Sequence, residues 1–304
     1  MTLRATISLA FLIIAQFVFA QTKMIILGTA QDGGYPQMGC IKDCCVRAHA
    51  NDTLKQFVVS LALADFEQKK WWLFEATPDI REQLRHFAEV TNHQFNFLPD
   101  GIFITHAHMG HYTGLVQLGR EVMNSTSVSV YTLPRLKQFL ETNGPWSQLV
   151  KLNNITPVEL HEETPIGLND NISVSAFRVP HRDEFSETAG FKIITKEKRY
   201  LFIPDIDKWS KWNKDIVSEV KSVDEAYLDA SFFSADELTN RKMSEVPHPL
   251  VSETMDLFKS ENAATKKKIY FIHFNHTNAL LYDVEKQNEV KRQGFSLSRQ
   301  SSIK

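Results

Sequence analysis

The chain has 304 residues, of which 43% are hydrophobic and 23% charged, and a formal net charge of −2. That is an ordinary globular composition, long enough to bury a substantial core in one large domain. No basic stretch is dense enough to follow a phosphate backbone, so nucleic acid is not expected as a partner.

Residues 1–20 carry a single charge, Arg4, then an apolar core over residues 9–15 and the finish Phe17-Val18-Phe19-Ala20. Val18 and Ala20 form the small-residue cleavage pattern of a signal peptide, which predicts an exported protein, periplasmic or secreted. The apolar core falls short of the about 20 residues a bilayer requires, so no stable membrane span is expected after cleavage.

Residues 24–29 read as a short strand that breaks into the turn-rich loop Ala30-Gln31-Asp32-Gly33-Gly34-Tyr35-Pro36. Its glycines act as permissive hinges; no Gly-Lys-Ser/Thr follows, so a phosphate cradle is a weak reading. All three cysteines, Cys40, Cys44 and Cys45, then fall within six residues. An odd count in one cluster is a poor disulfide framework, and metal binding explains it better. The rival is a Cys40–Cys44 or Cys40–Cys45 disulfide with one thiol left over.

Residues 57–63 and 71–75 read as strands joined by a polar turn, followed by a helix with Thr77 as N-cap and Pro78 in its first turn. The apolar run 101–104 then leads into Thr105-His106-Ala107-His108-Met109-Gly110-His111, three imidazoles within six residues just past a strand end. Neutral imidazole is the commonest side-chain metal ligand, and this spacing on a tight turn lets several rings converge on one or two ions. Further on, 128–131 is a strand, 134–143 a helix, 144–146 a loop, and 160–171 polar and irregular.

Residues 172–179 alternate as a half-buried strand and run into Pro180-His181. Residues 190–194 and 199–203 form a hairpin, with Asp205 just beyond its second strand; 226–229 ends in Asp229, and 268–272 ends at His273-Phe274-Asn275-His276. Five predicted strands thus end in His or Asp, the position where α/β folds keep their chemistry. His86, His93 and His161 lack such a context and read as surface residues. No repeat or linker argues for a second domain.

His106, His108, His111, His181, Asp205 and His273 together resemble the ligand set of the metallo-β-lactamase superfamily. Its His-x-His-x-Asp-His motif is matched by His106-Ala107-His108-Met109-Gly110-His111, with Gly110 where the motif has its Asp. Within the superfamily the chain is similar to coenzyme PQQ synthesis protein B and to the phosphodiesterase of the carbon-phosphorus lyase pathway. Leu27-Gly28-Thr29 through Gly34-Tyr35-Pro36-Gln37 to Cys40, the segment 76–83, and His273-Phe274-Asn275-His276-Thr277-Asn278 carry that likeness.

The resemblance implies an α/β fold, an αββα sandwich of two mixed sheets flanked by helices, over residues 21–304. It implies that His106, His108 and His181 hold a first metal, that Asp205 bridges, and that His111 and His273 hold a second, which Gly110 deprives of one carboxylate. It also implies a structural zinc on Cys40, Cys44, Cys45 and His276, with His49 as a local alternative. The spacing Cys40-x-x-x-Cys44-Cys45 departs from the relatives' Cys-x-Cys-x-x-Cys. The implied metals are zinc, one or two catalytic and one structural, with manganese(II) or iron(II) as alternatives.

By the same resemblance, His248 is the general acid and Asp205 the orienting bridge of a hydrolase in which a metal-activated hydroxide attacks a phosphodiester or cyclic phosphate. The partner is a small-molecule substrate, and assembly as a homodimer is open. Two rivals stand beside this: an iron-dependent oxidative enzyme like the PQQ protein, against which the signal peptide argues, and a non-catalytic metal-binding protein of the same fold, against which the nearly complete ligand set argues.

Overall fold

The computed structural model describes residues 21–238 and 246–304; residues 1–20, on which the expectation of a signal peptide falls, lie outside the described residues. Among the described residues, thirteen strands form two sheets. The first holds β1 (Thr22–Gly28), β2 (Ser60–Asp65), β3 (Lys70–Phe74), β4 (Gly101–Phe103), β5 (Val128–Thr132) and β6 (Ile155–Glu159), side by side in that order. The second holds β7 (Ile166–Asn169), β8 (Ile172–Arg178), β9 (Ala189–Ile194), β10 (Arg199–Ile203), β11 (Glu225–Asp229), β12 (Ile269–Ile272) and β13 (Ser296–Leu297), again in sequential order. Both are mixed: β1 to β3 and β7 to β10 pair antiparallel, whereas β3 to β6 and β10 to β13 pair parallel.

Strand residues alternate between two buried faces, which is why their sequences read as almost continuous apolar runs. Along β3, Trp72 and Phe74 point into the space between the sheets, where they meet Phe191, Phe202 and Tyr227 of the second sheet. After α1 (Asp43–Ala50), which carries two of the cysteines, α2 (Ile80–Val90) and the helix over Pro134–Thr142 cover Trp71 and Leu73, which point the other way. The outer face of the second sheet, with Leu201, Leu228 and Phe271, lies under the helices Ile216–Lys221, Val251–Leu257 and Val284–Arg292. Four layers result, helix, sheet, sheet, helix, as expected of the αββα class. Among the described residues no helix is long and apolar enough to cross a membrane.

Several local expectations are corrected. Thr77 does not cap α2: its hydroxyl accepts from Asp79 N at 3.1 Å and donates to Gln83 Oε1 at 2.7 Å, closing a turn that delays the helix to Ile80. Trp146 is not loop but opens the helix Trp146–Lys151, with Pro145 as its N-cap and the indole packed on Tyr112 and Phe139. The polar stretch 160–171 contains β7, an edge strand whose partly buried Ile166 and Leu168 contact the sandwich interior. The second strand begins at Ser60 rather than 57, because Val58 instead bridges Ala30 across the chain.

Phe74 stacks on Phe103 at 5.0 Å and meets Phe191 and Phe202 edge-on at 5.8 and 6.1 Å, joining the two sheets through one fully buried ring. Phe74→Ala is therefore expected to cost about 3–5 kcal/mol in urea denaturation, whereas Met38→Ala, at a 92% exposed position, is expected to stay within about 0.5 kcal/mol. Equal stabilities would contradict this account of the interior.

Candidate metal centre

Because β10, β11 and β12 run parallel as neighbours, their C-terminal ends share one edge, and β8, antiparallel to β9, which is antiparallel to β10, ends there too. Asp229 ends β11, and Asp205, His273 and His181 follow β10, β12 and β8. From the first sheet, parallel β3 and β4 bring Glu75 and the histidine turn to the facing edge.

That turn is sewn onto the chain after β3. Ala76 N donates to His111 O at 2.9 Å and Gly114 N to Ala76 O at 2.8 Å. A side chain at position 114 has no room, since a Cβ there would lie 2.1 Å from Thr77 O. His111 therefore sits in α3 (Met109–Tyr112) with its ring fully buried.

Asp205 Oδ2 lies 3.1 Å from His181 Nε2, 3.4 Å from His106 Nε2 and 3.8 Å from His111 Nε2. His108 Nδ1 faces His106 Nε2 at 2.8 Å and His181 Nε2 at 3.3 Å. Tetrahedral zinc with nitrogen ligands at ~2.0–2.1 Å would place neighbouring nitrogens about 3.3 Å apart, so His106, His108, His181 and Asp205 fit one ion. Each ring is held from behind: His106 Nδ1 by Thr105 Oγ1 at 2.8 Å, His108 Nε2 by Glu184 at 3.2 Å and His181 Nδ1 by Asp207 at 3.3 Å. Outer partners of this kind fix the ring orientation of metal-ligating histidines.

A second group adjoins the first. One ligand atom from each of Asp32, His111 and His273 lies within 4.8 Å of the others. Asp32 Oδ1, His111 Nε2 and His273 Nε2 are all buried without a hydrogen-bond partner among the described residues. Orphaned polar atoms that face one another are costly unless something lies between them, and a cation fits that role. Behind the rings, His111 Nδ1 faces Glu75 Oε1 at 3.4 Å and His273 Nδ1 lies 3.1 Å from Ser231 Oγ.

His248, buried rather than exposed between its prolines, has Nδ1 2.9 Å from Asp229 Oδ2 and 3.2 Å from Asp205 Oδ1. Burial opposes its charging, yet the two carboxylates outweigh that and hold its pKa well above the usual imidazole range. Burial likewise opposes charge on His111, and Glu75 and Asp32 raise it well above. His106, buried beside His111, is driven well below.

Thus the centre brings together every predicted catalytic-site residue: His106, His108, His111, His181, Asp205, His248 and His273. It adds Asp32, Glu75 and Asp229. Asp229 was signalled as a strand-end carboxylate; Glu75 stood at a predicted strand end without being singled out, and Asp32 stood in a loop read only for its glycines. Among the remaining histidines, His93 and His161 are exposed as expected, whereas His86 is half-buried on α2, so its surface reading is corrected.

Cys40, Cys44, Cys45 and His276 form a separate group, and all three thiols are free. Cys44 Sγ lies 4.0 Å from Cys40 Sγ and 3.9 Å from Cys45 Sγ, and His276 Nδ1 is 3.3 Å from Cys45 Sγ and 3.8 Å from Cys44 Sγ. Sulfurs around tetrahedral zinc at ~2.3 Å sit about 3.8 Å apart, so the group fits that ion. The local alternative His49 turns its ring to Cys40 O instead. His276 follows β12. Cys44→Ala is expected to carry one zinc fewer per chain by elemental analysis while the histidine centre keeps its metal. A disulfide in the native protein by mass spectrometry would contradict this assignment.

Comparison with known proteins agrees with this geometry. The model of the beta-lactamase superfamily domain matches residues 70–274. Coenzyme PQQ synthesis protein B of Rhizobium meliloti is 23% identical over 298 residues, 90% of this chain and 95% of that protein, and its counterpart from Methylorubrum populi is 25% identical over 308 residues, 90% and 97%. Zinc-bound PqqB from Methylobacterium extorquens superposes with a TM-score of 0.74 at 20% identity, covering 93% of this chain and 99% of that one. A diphosphatase of the PhnP family gives 0.61 at 19% identity, covering 93% and 96%. The chain belongs to the metallo-β-lactamase superfamily.

Proposed function

We propose that this protein is a zinc-dependent hydrolase of a phosphodiester or cyclic phosphate. The observation that carries the reading is the convergence of three imidazole nitrogens on one oxygen of Asp205, with His248 held on the other oxygen of the same carboxylate. His106, His108, His181 and Asp205 would hold one metal, His111 and His273 would contribute to another, and bound metals supply Lewis acidity together with a lowered pKa for the attacking water. Manganese(II) or iron(II) would suit the same nitrogen and oxygen donors.

The chain's own residues do the rest. His248 keeps its Nδ1 proton on Asp229 and delivers the Nε2 proton to the leaving oxygen, which departs as a neutral alcohol. Asp229 is fixed in turn by Ile206 N at 3.1 Å and Ser231 N at 2.9 Å, so it orients the imidazole rather than reacting. At the mouth, the exposed Arg182 has Nη2 3.5 Å from His108 Nδ1, a cation placed for an anionic substrate. A solved neighbour similar in fold is named a diphosphatase of the PhnP family, an enzyme that also hydrolyses a bond at phosphorus.

A second reading, an oxidative enzyme, is favoured by the whole-length similarity to coenzyme PQQ synthesis protein B. The sequence of residues 1–20 leads us to propose export to the periplasm or beyond.

The zinc-loaded protein is expected to turn over bis(p-nitrophenyl) phosphate without oxygen. On an unactivated alkyl phosphodiester, whose leaving oxygen needs a proton, His248→Gln should lower kcat by about 10²–10⁴ with metal content unchanged, and Arg182→Ala should raise KM roughly tenfold with kcat nearly intact. No phosphodiester turnover by the fully loaded wild type would sink the hydrolase reading; oxygen consumption by the iron-loaded form would favour the second.

A further inference from the structure

The superfamily motif places a carboxylate at the position of Gly110, and its loss leaves the second metal with two histidines and a share of Asp205. The space that side chain would fill is nevertheless occupied. A Cβ built on Gly110 would lie 2.1 Å from Asp32 Oδ1, 2.6 Å from Asp32 Cα and 2.8 Å from Asp32 Cγ. Asp32 stands where a residue at 110 would project, arriving from a different segment of the chain.

The loop that carries Asp32 is fixed on both sides. Ala30 bridges Val58 and Phe274, Gln31 N donates to Phe274 O at 2.8 Å, and Asn275 Nδ2 donates to Gln31 Oε1 at 2.6 Å. Gly34 N closes the turn onto Gln31 O at 2.8 Å, with Gly34 itself at φ 66°, a conformation glycine adopts freely. This anchoring to the residue beside His273 aims the carboxylate at His111, with Oδ1 3.3 Å from His111 Nε2. Although the Asp32 side chain is partly exposed, Oδ1 is enclosed and unpartnered, as are Nε2 of both His111 and His273.

We propose that Asp32 is a ligand of the second metal, the carboxylate having moved from position 110 to position 32, so that Asp32, His111, His273 and Asp205 complete a dinuclear centre. This deepens the hydrolase reading by settling how many ions the centre holds, and it stands on metal binding alone. Glycine at 110 and aspartate at 32 are then one linked choice. A side chain at 110 would meet the Asp32 carboxylate and, at 2.6 Å, the Asp32 Cα, so glycine at 110 is what lets the loop bring Asp32 this close.

The test is metal content of the full-length protein loaded with zinc, measured beside thermal melting, for Asp32→Asn, Asp32→Gly and Gly110→Asp. Asp32→Asn, which keeps the side-chain shape, and Asp32→Gly should each lose one catalytic zinc and keep the structural one. Gly110→Asp should melt well below wild type, because its side chain meets Asp32. Full zinc in both Asp32 variants would overturn the ligand assignment, and a Gly110→Asp protein that melts with wild type would overturn the close packing of residue 110 on Asp32. Neither result depends on turnover, so failure here is distinct from failure to hydrolyse a phosphodiester.

Discussion

A single buried carboxylate, Asp205, joins the two halves of this molecule's chemistry. It lies two residues past the end of β10 in the second sheet, is 2% exposed, and faces the imidazoles of His106 and His111 from the first sheet and of His181 and His248 from its own. An isolated carboxylate so placed would be strongly destabilising, and removing its partners singly would leave an uncompensated buried charge. Burial alone would raise its pKa, but the charges on His248 and His181 and the hydrogen bonds from His106 and His181 hold it well below the usual carboxylate range. The seam between the sheets is therefore a site where several nitrogens and one anion must be kept together, and cations satisfy that arrangement.

Backbone conformation contributes as well. Glu75 and His273, each just beyond a strand, adopt φ 73° and 67°, in the left-handed region that non-glycine residues rarely occupy. Such conformations cost about 1–3 kcal/mol each and persist where the surroundings over-determine them. At Glu75 the turn lets the carboxylate reach Thr105 N at 3.3 Å and face His111. At His273 it ends β12 and sends the following residue, Phe274, back to donate to Thr29 O at 2.8 Å. The same two turns that terminate strands thus bring a histidine's support and a ligand to the seam.

Much of the architecture is readable from residues alone, for a definite reason: strands covered on both faces leave unbroken apolar runs, and a His or Asp directly after such a run marks the C-terminal edge. His106, His181, Asp205 and His273 are all found this way, and Asp229 follows the same pattern. The edge strand β7 and the helix Trp146–Lys151 are less visible because their burial is partial and set by neighbours distant in sequence. Asp32 is the instructive case. Its position depends on Ala30 lying between Val58 and Phe274, a juxtaposition of segments from opposite ends of the chain that leaves no local pattern. The missing carboxylate was legible at Gly110; its replacement is visible only where the two positions contend for one volume. Similarly, the compact spacing of Cys40, Cys44 and Cys45 is compatible with a disulfide, and the approach of His276 from beyond β12 is what favours zinc.

The account depends most directly on two ions flanking Asp205. Anomalous diffraction at the zinc edge, from crystals of the zinc-loaded protein, should show two peaks in the histidine centre about 3.5–4 Å apart. One should lie among His106, His108 and His181 and the other among Asp32, His111 and His273, with Asp205 between them. A single peak in the centre, or a second peak that Asp32 does not touch, would contradict it.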